Sequence, residues 1–220
     1  MNGSPRESHV PPSPPRVVAV SGIVFSTLHI ISLVIVRLAL PADPRDPGIW
    51  LGDPIYRSWV GIALDLVPFT GIAFLWFMAV LRSRVGLLED RLLATVFLGS
   101  GLLFVAMLFS TVAVARSLLD TFATAGSLSA DSETYAVGRT MAHALMNTFG
   151  VKMAAIFMFV TSSIGLRTAV FARWISLLGF ALGLMLLLII GDFAWIVLVF
   201  PFWVLLLSAY ILLVDSRHSG

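Results

Sequence analysis

The chain contains no cysteine among its 220 residues. This absence excludes disulfide bonds, a thiolate nucleophile, zinc or iron–sulfur sites held by cysteine, and lipid attachment to an N-terminal cysteine. The sequence also lacks HExxH, GxSxG and the glycine-rich loops that cradle phosphate groups. No recognised catalytic motif remains, so an enzymatic activity is not predicted.

Charged residues are scarce: they make up 12% of the chain, whereas hydrophobic residues make up 59%. A soluble domain typically has about 25% charged and 45–50% apolar residues. A soluble chain of this length cannot bury such an excess, so the excess apolar surface must face lipid. The basic residues lie singly or in small groups at the ends of apolar runs, which argues against nucleic acid as a partner.

Long apolar runs predict an all-α integral membrane bundle of six transmembrane helices, spanning residues 17–214. Residues 1–16 contain five prolines and predict a disordered tail. The stretch from Trp174 to Val214 has 41 residues and one charged member, Asp192, and the turn signal Gly191-Asp192 divides it into two spans. The fourth helix is expected to begin as early as Ser132. The predicted spans are 17–36, 59–81, 92–115, 140–165, 174–190 and 194–214, followed by a tail at 215–220.

Arginine placement predicts the orientation of these spans. With the N-terminus inside, eight arginines fall in inner segments and five in outer segments. The two short inner loops, around 82–91 and 167–173, hold five of the eight, and short loops weigh most in the positive-inside rule. Both termini are therefore predicted to be cytoplasmic. Tryptophan and tyrosine fall near the predicted span boundaries, as expected at both faces of a membrane, and only Trp203 lies at mid-span.

Two charged residues lie inside predicted spans. Lys152, the only lysine, is about halfway along the fourth span, and Asp65 lies in the second. A lysine at the centre of a bilayer costs roughly 2.5–3.5 kcal/mol on insertion scales, so a partner is expected. A lysine side chain is long enough to cover much of the difference in depth. We therefore hypothesise an Asp65–Lys152 ion pair between spans two and four, with either a structural or a functional role.

The fourth span also carries a polar stripe. Tyr135, Arg139, His143 and Asn147 recur every four residues, and each step turns only about 40° around a helix. Lys152 lies about 140° from Asn147 and therefore on another face. A helix that is polar on more than one side is expected at the centre of the bundle.

His29, near the middle of the first span, and His143 are the histidines within predicted spans. Two opposed histidines at similar depth are able to ligate a haem axially. Haem is therefore the alternative to the main prediction, which is that the protein has no cofactor. No other cofactor is predicted, since zinc would need a third ligand such as Asp65. The simpler interpretation is that each histidine forms a hydrogen bond with a neighbouring helix.

The segment DLVPFTGIAFLWFMAVLRSRVGLLEDR, from Asp65 to Arg91, and TVFLGSGLLFVAMLF soon after it resemble a group of uncharacterised polytopic membrane proteins from actinobacteria. The resemblance covers about a quarter of the chain. It implies a multi-pass protein of a bacterial plasma membrane. It implies no activity and no catalytic residue.

The leading prediction is a transport-related protein or accessory subunit whose intramembrane polar cluster binds a proton, an ion or a small anionic group. The first alternative is an interaction or assembly protein whose polar residues only fix helix packing. In that case Gly179-x-x-x-Gly183 in the fifth span would suit close contact within the bundle or with a second copy. The second alternative is a membrane haem protein or enzyme. The candidate ligand-binding residues are Asp65, His143, Asn147, Lys152 and His29.

Overall fold

The computed structural model describes residues 15–39, 49–85, 91–125, 133–168, 171–189 and 195–218. Within these ranges the chain is helical and contains no strand, which confirms the predicted all-α class. Two short 3₁₀ helices, Ile49–Gly52 and Ile196–Leu198, accompany the longer ones. The longer helices are α1 (Pro15–Ala39), α2 (Pro54–Val85), α3 (Arg91–Ala125), α4 (Glu133–Thr168), α5 (Arg173–Leu188) and α6 (Val199–His218).

The start of α2 follows from two residues that precede the predicted apolar run. The Asp53 carboxylate accepts a hydrogen bond from the backbone N–H of Ile55 at 2.8 Å, as an N-cap does. Pro54 occupies the first helical position, where its missing N–H is not needed. α4 likewise begins at Glu133, near the early start that the sequence predicts.

Five of the described helices, α1, α2, α3, α4 and α6, are long and apolar enough to cross a membrane. α5 is apolar but has 16 residues. Its length of about 24 Å is less than the hydrocarbon thickness of about 30 Å. A helix in the predicted fifth span is therefore confirmed, whereas its full crossing is not. The predicted turn Gly191-Asp192 and the predicted tail up to residue 14 lie outside the described residues.

Each of the five long helices contributes one phenylalanine to a central cluster, which we call the phenylalanine cluster. α1 packs between α2 and α6, and α4 packs between α3 and α5. Ring centroids are 4.8 Å apart for Phe25 and Phe74, and 4.9 Å apart for Phe104 and Phe200. Phe157 of α4 lies 5.2 Å from Phe74. Tilted and edge-on aromatic pairs each stabilise a fold by about 0.5–1.5 kcal/mol. The cluster therefore stabilises the packing of the five helices against one another.

Close approach between α4 and α5 depends on Gly179. A Cβ atom at this position would lie 2.2 Å from Ser162 Oγ and 2.8 Å from the indole nitrogen of Trp203. One turn later, a Cβ atom at Gly183 would lie 3.2 Å from the carbonyl oxygen of Ala155. Close helix approach at this glycine pair is therefore confirmed inside the bundle. Trp203 is buried near the start of α6, where Gly179 leaves room for its ring.

Candidate functional site

A cavity of about 250 Å³ lies between α1, α2, α3 and α4. Trp50 and Leu51 of the 3₁₀ helix before α2 line one end of it, which we call the mouth. His29 lies at the other end, which we call the floor. The His29 ring stacks on Phe25 with ring centroids 5.5 Å apart and meets Phe104 edge-on at 6.1 Å. The phenylalanine cluster therefore closes the cavity below His29.

α1 presents one face to the cavity, formed by His29, Ser32, Leu33, Val36 and Arg37. Successive members of this set are one or three residues apart, at the positions i, i+3, i+4, i+7 and i+8 that form one stripe on a helix. α1 runs toward the mouth, so His29 and Ser32 are deep. Arg37 lies about 12 Å nearer the mouth along the helix axis than His29.

α4 presents the predicted polar stripe to the same cavity. Tyr135, Arg139, His143 and Asn147 all line it, which confirms that they share one face of the helix. α4 begins at the mouth, so Tyr135 is shallow and Asn147 is deep. The tyrosine hydroxyl accepts a hydrogen bond from the indole N–H of Trp50 at 3.2 Å. This contact joins the start of α4 to the segment that precedes α2.

A π-helical segment, Ala144–Gly150, forms the part of α4 beside the floor. Single π turns inside α-helices are rare and are frequently found at functional sites. Met146 and Asn147 line the cavity from this segment. The Asn147 amide donates a hydrogen bond to the backbone carbonyl of His143 at 3.3 Å, which satisfies an acceptor where the π segment begins.

The charge of the cavity lining has one sign. Arg37 and Arg139 line the cavity, and no aspartate or glutamate lines it among the described residues. Guanidinium groups stay protonated in proteins, so both arginines are cations. α2 and α3 supply walls that are apolar except for the hydroxyl of Thr111. These walls are formed by Val60, Leu64, Val67, Leu108, Val112, Ala115 and Leu118.

Two buried side chains at the floor have no hydrogen-bond partner within the described part of the chain. His29 is 1% exposed and Ser32 is 3% exposed. Both imidazole nitrogens of His29 and the hydroxyl of Ser32 lack a hydrogen-bond partner there. The hydrogen bond expected between His29 and a neighbouring helix is therefore not formed in these segments.

The hypothesised Asp65–Lys152 ion pair is not formed. The Asp65 carboxylate pairs instead with Arg116 of α3, at 2.9 Å between Oδ1 and Nη1. Arg116 also pairs with Asp120, one turn later, at 3.3 Å. The Asp65 side chain is 70% exposed and does not line the cavity. Its neighbour Leu64 lines the cavity instead, because adjacent residues of a helix point about 100° apart.

Lys152 binds the end of a helix rather than a carboxylate. Its ammonium group donates hydrogen bonds to the carbonyl oxygens of Leu186, Leu187 and Ile189, at 2.9, 2.7 and 3.1 Å. These carbonyls lie at the C-terminus of α5, where intrahelical donors run out and the helix dipole favours a cation. Lys152 does not line the cavity. Of the five candidate residues, the structure brings together His29, His143 and Asn147.

Tyr135 and Arg139 line the cavity as members of the predicted polar stripe, although they are not among the five candidate residues. Ser32, Arg37 and Trp50 also line it and belong neither to the stripe nor to the candidates. Arg37 ends the first apolar run, a position that predicts a loop, whereas it belongs to the last turn of α1. Its spacing of eight residues from His29 is the signal that places it on the same face. Trp50 carries no such signal, since it reaches the cavity through a short 3₁₀ helix.

His29 of α1 and His143 of α4 line the same cavity. Among the described residues there is no group of three or more side chains able to hold a metal ion, so a zinc site that includes Asp65 has no support there. Axial haem ligation needs only two histidines and stays a prediction.

The fold and the cavity define a class of protein: an apolar helical bundle that fits a multi-pass membrane protein, with a cationic cavity between helices long enough to span. Comparison with known proteins adds no family, because no protein-family model, no curated protein and no solved structure matches the chain. The resemblance to actinobacterial membrane proteins stays a prediction.

Proposed function

We propose that this chain is a six-span plasma-membrane protein that binds a small organic anion in the cavity, either to transport it or as the anion-binding subunit of a transporter. The observation that supports this most directly is the pair Arg37 and Arg139 in a cavity that no described carboxylate lines. Both termini are cytoplasmic in this proposal, and the mouth opens to the outside of the cell.

Electrostatics favours an anion at this position. Two unit charges 4 Å apart attract each other by about 4 kcal/mol at an effective dielectric constant of about 20, several times more than in water. A guanidinium group also matches the two oxygens of a carboxylate with parallel hydrogen bonds. An anion at Arg37 is therefore attracted by the charge and bound by directional hydrogen bonds, and Arg139 supplies a second guanidinium group to the same cavity.

Volume and wall chemistry limit the class of anion. A cavity of about 150 Å³ holds benzene. A cavity of about 250 Å³ therefore has room for one ring and one anionic group. Apolar walls from α2 and α3 favour an organic body over a hydrated inorganic ion. A small aromatic carboxylate or sulfonate satisfies these conditions.

Calorimetric titration of the purified protein in detergent tests the proposal with two probes. Benzenesulfonate stays ionised over the working pH range, and benzenesulfonamide is a neutral probe of similar shape. We expect benzenesulfonate to bind at least about tenfold more tightly, a difference of about 1.4 kcal/mol. Arg37→Gln and Arg139→Gln should each remove most of this preference. Arg82→Gln is the control, since Arg82 is exposed near the opposite end of α2.

Equal affinity for the two probes, or no binding of either, would contradict anion recognition. A loss of affinity in Arg82→Gln as large as that in Arg37→Gln would show that the effect is not local to the cavity. Uptake of benzenesulfonate into proteoliposomes, abolished by Arg37→Gln, would support transport. Binding without uptake would support an accessory subunit. An assembly protein would bind neither probe and would yield a stoichiometric membrane partner on crosslinking.

A haem protein is the second candidate, favoured by the position of His29 and His143 on one cavity. The volume argues against it, because a cavity of about 250 Å³ is smaller than the roughly 300–1,000 Å³ of pockets for drug-sized ligands. A porphyrin would require the helices to move apart. A Soret band in the visible spectrum of the purified protein would support this candidate, and a spectrum without one would exclude it.

A further inference from the structure

The floor of the cavity contains polar atoms that the described part of the bundle leaves unsatisfied. The large majority of buried side-chain polar atoms in proteins have a hydrogen-bond partner, and an exception needs an explanation such as a bound water, ion or ligand. His29 presents two unpaired nitrogens and Ser32 an unpaired hydroxyl, one helical turn apart on the same face of α1. A donor and an acceptor are thus available side by side, since a neutral imidazole supplies one of each.

The cavity distinguishes these two residues from other buried polar side chains without a partner. Ser26, Ser208 and Trp203 also lack a hydrogen-bond partner among the described residues, but they do not line the cavity. All of these polar atoms are buried to the same degree, so it is the cavity, and not burial, that distinguishes His29 and Ser32. His29 and Ser32 are therefore the members of this set that lie beside a space large enough for a bound molecule.

Charge and depth divide the cavity into two parts. Arg37 is one to two helical turns nearer the mouth than Ser32 and His29, about 8 Å and about 12 Å along the axis respectively. The floor is bounded by Phe25 and Phe104, and the two described arginines of the lining, Arg37 and Arg139, lie nearer the mouth. A ligand that fills both parts meets a cationic group at one end and neutral hydrogen-bonding groups at the other.

We infer that the ligand of this cavity is a bifunctional anion, with its charged group at Arg37 and Arg139 and an uncharged hydroxyl-type group at His29 and Ser32. The inference rests on the proposed function and narrows its substrate class. A hydroxyl group both donates and accepts, which matches an imidazole and a serine placed side by side. A para-substituted ring carries its two groups at opposite ends, in keeping with the separation of the two parts.

Three sulfonates that differ in one para group test the inference. The hydroxyl of 4-hydroxybenzenesulfonate should raise the affinity about fivefold over benzenesulfonate, the gain expected of one or two net hydrogen bonds. 4-Methylbenzenesulfonate has nearly the same shape without the hydrogen bond, and should not show this gain. Titrations are made near neutral pH, where the phenol is uncharged.

Variants at the floor of the cavity test whether the affinity gained from the para hydroxyl group arises there. Ser32→Ala should reduce the hydroxyl gain, and His29→Phe should reduce it further while keeping a ring against Phe25 and Phe104. Ser26→Ala is the matched control, because Ser26 is buried on the same helix and equally unpaired but does not line the cavity. If His29→Phe fails to fold, Ser32→Ala against Ser26→Ala decides the result.

The outcomes separate this inference from the proposed function. If benzenesulfonate binds but the hydroxyl adds nothing, or the methyl group adds as much, the bifunctional ligand is refuted and anion binding stands. A hydroxyl gain that Ser32→Ala and Ser26→Ala reduce equally also refutes it. If none of the three sulfonates binds, the proposed function fails and this inference with it.

Discussion

The ammonium group of Lys152 shows how a single residue is accommodated inside the bundle. Three carbonyl acceptors at 2.7–3.1 Å match its three N–H donors, so it needs no acidic partner. The same contact supplies donors to the C-terminus of α5, which ends there. Asp65 is compensated separately by Arg116. The two charges are therefore energetically independent.

Replacing Lys152 with Met should lower the free energy of unfolding by about 3 kcal/mol, because helix-end carbonyls lose a charged donor in an apolar environment. Unfolding with SDS in mixed micelles measures this loss, and Lys152→Arg, which keeps a cationic donor, should lose less. Adding Asp65→Asn should give an additive loss within about 0.5 kcal/mol. A coupling energy above about 1 kcal/mol would contradict the separate partners of the two residues.

Among the helices, α5 depends most on its neighbours. Its helix is shorter than the hydrocarbon layer, its end is stabilised by a residue of α4, and Gly179 brings it against Ser162 and Trp203. Without a hydrophobic driving force between helices in lipid, such close packing is the main source of association. Loss of contact at Gly179 should therefore affect α5 more than any change in its own helix propensity.

Gly179→Ala should destabilise the protein by about 1–3 kcal/mol, as overpacking of a filled core does. Gly99→Ala is the matched control: it lies inside α3, and no heavy atom lies within 4 Å of a Cβ atom there. Alanine is the better helix former by about 1 kcal/mol, so this variant should be neutral or slightly more stable. Thermal melting of both variants in one detergent measures the difference. Equal effects would mean that the α4–α5 contact is not tight.

For the whole molecule, composition determines the class, and tertiary contacts determine the site. The hydrophobic fraction of 59% predicts the helical bundle. The four-residue spacing from Tyr135 to Asn147 predicts one wall of the cavity. The partners of Asp65 and Lys152 are not predictable in this way. Depth along the chain indicates which residues share a height, but a shift of one residue turns a side chain by about 100°. Rotation between helices is set by packing, at contacts such as Gly179 against Ser162.

The number of membrane crossings depends on α5, and single-cysteine labelling measures it. Five crossing helices would place the termini on opposite sides, whereas a sixth crossing through α5 returns the C-terminus to the cytoplasm. The chain has no cysteine of its own, so each introduced cysteine is the only reactive thiol. A membrane-impermeant maleimide applied to intact cells should label Gly52→Cys at the mouth and leave Ser83→Cys and Ser219→Cys unlabelled until the cells are permeabilised.

Two other labelling patterns would each overturn one part of the topology. Labelling of both Gly52→Cys and Ser219→Cys in intact cells would mean that α5 enters the membrane and returns to the same side. Lys152 would then bind the carbonyl oxygens at its buried C-terminus. Labelling of Ser83→Cys but not of Gly52→Cys in intact cells would mean that the orientation is the reverse of the predicted one. The mouth of the cavity would then open to the cytoplasm. The anion would then be bound from inside the cell. Because the cationic lining is the same in either orientation, binding to purified protein would be unchanged, and only the direction of access would differ.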